Sequence, residues 1–473
     1  MTVRQWCSLA LASTSALLAA LLAFLEPNSG HAEFCARQVL PREVTDQIWN
    51  IRRLPDGLLL VTFKGLFRYA GDRIVAWETD TGVKIGARTA IVETGDQTLL
   101  AIWRDHVFRR DGDRLIELGA SQKFLIRGVM LDDARKAWIF TDQGAFRVQG
   151  RELIRVSTRP VTSFHRDVDG DELVGTSNGL FRLADDTLVA VGSDAAIGAV
   201  AAFHSVGGKT LLVEAEHGLF RRVGDRLIAI EGGNFSREAD DWLTALVDPG
   251  FANDGSAPAR GETTFLQTRR TMFRLRGDVL EPLASIDADL NCRGVARNGD
   301  PICLAGDGLV RFETDHFVDI ADGGAFGFFN YVYRARNGDD LLVGGAGLFR
   351  LSGAELVRID DHASAFIYEA DDGTQFVSTK DADLYRREGD RLVPALDRAQ
   401  FGRAVQTNPF WSAKDHTLFF RGTKGFFRRV RDSFALVRGG ENVRFAYVVF
   451  EQGDGEILVG TGGAGLFSLR ACR

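Results

Sequence analysis

Short apolar runs recur along the chain from about residue 48 to its end, and each is followed by a turn signal. Leu58-Leu59-Leu60-Val61 and Ile457-Leu458-Val459 are examples. Runs of four to six residues rich in Leu, Val, Ile and Phe, with turns every 8–12 residues, predict short antiparallel strands. One phrase marks the third strand of every unit. It begins as Gly65-Leu66-Phe67-Arg68, recurs as Gly179-Leu180-Phe181-Arg182 and Gly347-Leu348-Phe349-Arg350, and ends as Gly465-Leu466-Phe467-Ser468. From Phe67 to Phe467 it occurs eleven times, with a mean period of 40 residues. A β-rich period of about 40–45 is that of a propeller blade.

Each unit shares a grammar. A β-rich run precedes a turn pair such as Asp56-Gly57, Asn337-Gly338 or Asp372-Gly373, which tolerates the left-handed backbone of a tight hairpin. A second strand, the phrase strand, a second turn such as Gly112-Asp113 or Gly389-Asp390, and a fourth strand follow. Such a sheet cannot bury both faces alone, but blades stacked around an axis can. The expectation is an all-β β-propeller of about eleven four-stranded blades, arranged as two propellers or one wide ring. The last unit stops after its third strand, so Phe34–Leu40 is expected to supply the fourth and close the ring. The interval from Phe220 to Phe273 is 53 residues, against 35 to 42 elsewhere, which leaves a surface loop or a domain division near 249–261.

Composition narrows the class. The 473 residues carry 57 Lys and Arg against 64 Asp and Glu, a net charge of −7, with no long basic run, which argues against a nucleic-acid surface. Gly is abundant at 52 and Pro scarce at 10, as many tight turns require. Arg4 precedes an uncharged apolar stretch from Ser8 to Leu25, and Gly30-His31-Ala32 offers a cleavage site before Glu33. Residues 1–32 therefore read as a secretory signal peptide, or, if uncleaved, as a membrane anchor. The chain left after cleavage, 33–473, is the repeat region, periplasmic or secreted and without a membrane span. Export permits disulfides among Cys35, Cys292, Cys303 and Cys472. Cys292 and Cys303 flank the turn at Asn298-Gly299, and Cys35 and Cys472 share the closing blade, so 35–472 and 292–303 are the expected bonds. A two-residue turn at Asn298-Gly299 would set Cys292 opposite Ala305, with Cys303 diagonal to it.

The stretches Asp56–Ile74 (DGLLLVTFKGLFRYAGDRI), Asp171–Leu188 (DELVGTSNGLFRLADDTL) and Gly455–Leu469 (GEILVGTGGAGLFSL) resemble the two-component regulator propeller repeat. The likeness spans nearly all of 33–473. It implies a periplasmic, ligand-sensing propeller. The family's spacer, second membrane span and kinase or cyclase have no counterpart after Arg473, and aromatic-Arg replaces its commoner aromatic-Asp or aromatic-Asn. The resemblance thus implies binding, with any output carried by another protein.

Chemical signatures are sparse. The seven histidines after residue 32 show no zinc-ligand spacing, and no nucleophile elbow, phosphate loop or dinucleotide fingerprint is present. No cofactor, metal or catalytic residue is expected. Asp167-x-Asp169-Gly170-Asp171 faintly resembles a calcium loop but coincides with the repeated hairpin turn. The Arg after the phrase aromatic could form an anion-binding ring, or pair with a turn Asp, as Arg68 with Asp72 or Arg221 with Asp225. Innermost strands and their entry loops carry Trp49, His165, His204, Tyr331, Tyr333, Tyr368, Trp411 and Tyr447. These rings suit stacking against a sugar or peptide, and also packing between blades. The sequence thus reads as an exported, non-catalytic propeller that binds a protein partner or a carbohydrate or peptide ligand. A propeller lyase or hydrolase acting on polysaccharide, or a structural envelope protein, is the alternative.

Overall fold

Each expected unit folds as an antiparallel meander. The computed structural model describes residues 34–472, apart from 42–45, 120–123, 193–196, 207–209, 235–242, 248–263, 322–325, 405–407 and scattered single positions or pairs. The leader at 1–32 and the long interval at 249–261 lie outside the described residues. Eleven sheets follow one another in chain order. Blade 1 comprises Ile48–Leu54, Gly57–Thr62, Gly65–Ala70 and Arg73–Ala76, called strands A to D. Blades 2 to 10 span 90–118, 126–157, 161–191, 200–229, 245–285, 290–321, 329–360, 364–394 and 410–436. Blade 2 has a fifth strand, Glu78–Thr79, parallel to its D strand. Blade 11 takes three strands from 446–471 and its fourth from Phe34–Leu40.

The blades form one ring. Eleven apolar clusters lie at the seams, one between each pair of successive blades. Leu40, Ile48, Leu60 and Leu458 form the cluster that joins blade 11 to blade 1. A chain of two propellers would leave two such seams unmade. Each large apolar side chain buried contributes about 1.5–3 kcal/mol, so the seams carry most of the stability. Inward placement of the A strands is marked by bonds between neighbours: Arg52 donates to the Ile91 carbonyl at 2.7 Å and Thr162 to that of Val200 at 2.6 Å. D strands are the most exposed. The upper face of the ring holds the starts of the A strands and the B–C turns; the lower face holds the A–B and C–D turns.

Both expected disulfides form. Cys35–Cys472 spans 437 residues of chain and ties the closing strand to strand C of blade 11. Cys292 lies directly opposite Cys303, and Leu290 opposite Ala305. The expected diagonal register is therefore corrected: the turn closes wider than two residues, and a bulge at Arg293 shifts the pairing once more.

The phrase arginines pair with turn aspartates, but across the seam. Arg68 reaches Asp113 of blade 2 through two bonds of 2.7 Å, and Arg221 reaches Asp278 of blade 6 at 2.8 Å. Asp225 is taken by Arg182 of blade 4, and Asp72 lies outside the described residues. Within one blade a strand-end Arg and its own turn lie on the same ladder, whereas the neighbour's turn faces it. Where a second Arg follows, it points to the opposite face and reaches backward. Arg222 holds Asp167 and Asp171 of blade 4, Arg387 holds Asp339 of blade 8 and Arg429 holds Asp372 of blade 9. The calcium-like loop is thus a hairpin turn whose two outer carboxylates bind Arg222. Among the described residues no helix is long and apolar enough to cross a membrane.

Candidate binding surface

The A strands build the inner rim, and a shared bulge sets its geometry. In blades 1, 3, 4, 5, 8, 9 and 11 the register slips between the first and third residues of the strand. Below the bulge, one position lies opposite the strand B residue that pairs with the Arg of the phrase, or with Ser468 in blade 11. It is occupied by His165, His204, Tyr333, Tyr368 and Trp411 in blades 4, 5, 8, 9 and 10. Other blades place Arg52, Val92, Met130, Val247, Gly294 and Phe450 there. Five of the eight sequence-predicted site residues thus fall on one ring position, in the adjacent blades 4 and 5 and the adjacent blades 8, 9 and 10.

These side chains are half-buried, and His165, Tyr333 and Tyr368 reach the next blade. His165 stacks on Phe203 with ring centroids 5.5 Å apart, and its Nε2 lies 3.4 Å from the Ser205 hydroxyl. Burial pulls its pKa below the usual 6.5, against the opposing pull of Asp167, so the ring is neutral at neutral pH. His204 bonds the buried Glu214 at 3.1 Å. Tyr333 donates to Glu369, which also accepts the Arg336 amide at 3.0 Å. Tyr368 stacks on Phe410 at 5.3 Å, and Trp411 packs on Phe419 at 5.6 Å. Tyr331 sits two residues above Tyr333. Its hydroxyl accepts the Ile367 amide, and burial pushes its pKa up to about 12.

Trp49 and Tyr447 stand apart from these six, in the bulges of blades 1 and 11. They pack on each other at 5.0 Å across the closing seam, and Trp49 meets Phe63 edge-on at 5.4 Å. Gly462 makes room: a Cβ there would lie 2.2 Å from the Tyr447 ring and 3.3 Å from Phe445. Arg421 holds the bulge from below. It is buried, donates to the carbonyls of Asn408, Ala446 and Tyr447, and burial pulls its pKa down to about 10.

Sequence reasoning missed Phe63, Phe445, Glu369, Glu214 and Arg421. Phe63 had a signal, a large ring in a turn where every other unit carries Gly or a polar or charged residue. The buried charges had little: Glu214 and Arg421 share one strand B position with Gln267, and Glu369 shares a strand A position with Glu93 and Glu451, so no single blade stands out. Phe326 is buried and Phe328 exposed, with Lys380 lying 3.2 Å above its ring. A second site lies between blades 9 and 10. A groove of about 600 Å³ is lined by Asp383, Tyr385, Asp397, Arg398, Gln400 and Ser433. His362 stacks on Tyr385 at 5.8 Å, and Asp360 holds its imidazole above the usual pKa.

No family model matches the sequence, and no curated protein matches it. Solved structures with a similar arrangement are distant. An extracellular domain assigned to a hybrid two component system of B. thetaiotaomicron is 13% identical, over 91% of this chain and 71% of that chain, at a TM-score of 0.28. A virginiamycin B lyase from Staphylococcus aureus is 8% identical, over 57% of this chain and 94% of that one, at 0.29. BamB from Moraxella catarrhalis is 12% identical, over 73% and 94%, at 0.27. Identities and scores this low carry no functional weight.

Proposed function

We propose that this is an exported β-propeller whose inner rim binds a partner protein, peptide or carbohydrate, in a sensing role. The observation that carries the reading is the uneven rim: amphipathic rings occupy one ring position on blades 4, 5, 8, 9 and 10 and are replaced elsewhere. A purely structural position would repeat one residue type in nearly every blade, as the phrase Phe does in all but blades 7 and 9. Half-buried rings with polar tips suit a ligand that stacks and hydrogen-bonds. Two disulfides fit an oxidising compartment outside the cytoplasm. The test is a screen of the purified protein against soluble glycans and displayed peptides, repeated with Trp411→Ala and with Tyr333→Phe. Retention of a defined ligand that falls about tenfold or more in Trp411→Ala supports the reading. No retained ligand, or retention indifferent to both changes, contradicts it.

The second reading, cleavage of a polysaccharide, has one observation in its favour. Tyr385 and Arg398 line a single groove, and His362 stacks on Tyr385. Loss of product formation in Tyr385→Phe, with binding retained, would favour it over a rim that only binds.

A further inference from the structure

Large exposed rings are not scattered over this ring of blades. Among the described residues they are Trp49, Phe63, Phe328 and Phe445, and all four belong to the upper face. Leu125, half-exposed at the start of blade 3, joins them. Among the described residues, the large apolar side chains exposed at the lower face are Val168, Val223, Val279 and Val430, among its ion-paired turns; Val189, Ile228 and Leu436 are exposed on the outer D strands.

Three of the four exposed rings on the upper face lie beside a cation. Lys64 follows Phe63, Arg444 precedes Phe445, and Lys380 covers Phe328. Half-buried Trp103, on the next B–C turn, carries Arg104 over its ring at 5.4 Å. Across blades 11 and 1, Tyr447, Trp49 and Phe63 form a continuous path of rings; Phe445 lies with Tyr447 beside Gly462, and Trp103 lies beside Gly86 on the blade 2 side. A ligand bound to that path alone would leave Leu125 and Phe328, on blades 3 and 8, without a role. A planar partner meets them all.

We propose that the upper face docks on a phospholipid surface, inserting Phe63, Phe445 and Trp49 at headgroup depth with the neighbouring cations among the phosphates. Trp, Tyr and Phe favour that depth, and adjacent Lys or Arg adds attraction to anionic lipid. Asp105, Asp142, Glu216, Asp381 and Glu441 share the face, so ring insertion outweighs charge. The docking leaves the lower half of the rim, where His165 and Trp411 lie, facing away from the bilayer. It stands independently of the ligand reading.

The test is co-sedimentation of the chain from Glu33 onward, which holds every described element, with vesicles of phosphatidylcholine alone and mixed equally with phosphatidylglycerol. The protein is expected to sediment with both, more with the mixture. Phe63→Ser combined with Phe445→Ser is expected to weaken sedimentation about tenfold or more, while Val430→Ser on the lower face leaves it unchanged. A thermal midpoint within a few degrees of the parent shows that the variants are folded. Absence of sedimentation by the parent overturns the proposal, as does sedimentation indifferent to the two Phe changes. Self-association lost in the Phe variants, without vesicle binding, would assign the face to protein contact and equally overturn it.

Discussion

Thr176 shows how a single residue enforces the repeat. Its hydroxyl, on a fully buried side chain, donates to the Gly179 carbonyl at 3.0 Å and accepts the Asn178 amide at 3.1 Å. Thr62 and Thr141 do the same in blades 1 and 3, which is why the second strand so often ends in Thr. Thr176→Val keeps the shape and leaves two polar groups unpaired. It is expected to cost about 1–3 kcal/mol in chemical denaturation; a cost near zero would remove this account of the motif. Arg421 is the opposite case, present in one blade only. Arg421→Ala strips three carbonyls of their donor and is expected to cost at least as much as the Thr176 change. It should also redden Trp49 emission as the bulge loosens.

Strand-level order was legible where the sequence repeats and illegible where the backbone departs from simple pairing. The four-strand grammar, the closing strand Phe34–Leu40 and both cysteine pairs follow from turn pairs and apolar runs. The bulge near the start of the A strands has no sequence signature, because an extra residue in a strand looks like any other. It moved Trp49 and Tyr447 away from the other rim residues, and its counterpart at Arg293 put Cys303 opposite Cys292. The seam arginines were half legible. Their partners are turn aspartates, but only the curvature of the ring brings the neighbour's turn closer than their own. These pairs make stability depend on pH at the element scale. Arg429 holds the Asp372 carboxyl down to about 2, from an ordinary 3.8. A carboxyl lowered in the folded state stabilises above about pH 4 and loses that contribution as pH falls toward 2. The Asp372 side chain is 57% exposed, so screening makes the effect smaller than the shift alone implies. The gap in thermal midpoint between the parent and Arg429→Met is expected to narrow between pH 5 and pH 3. A gap constant across that range would contradict the pairing.

At the scale of the whole molecule, one disulfide and one strand close a ring of eleven blades. Cys35–Cys472 bridges 437 residues of sequence. Loop entropy alone assigns such a bond about 5–6 kcal/mol, an upper bound because strain and residual structure reduce it. Cys35→Ser with Cys472→Ser is expected to lower the thermal midpoint and to expose Phe34–Leu40 to proteolysis before any other segment. The candidate site was less legible than the fold. The eight rim residues could be picked out by residue type and strand, yet which of them share a level depended on the ring being built.

The central claim is that all eleven blades surround one axis, since the rim and both faces exist only if they do. End-on projections of single particles by electron microscopy test it most directly. The account predicts a single annulus of eleven wedges around one opening. Two smaller rings, each with its own opening, would contradict it.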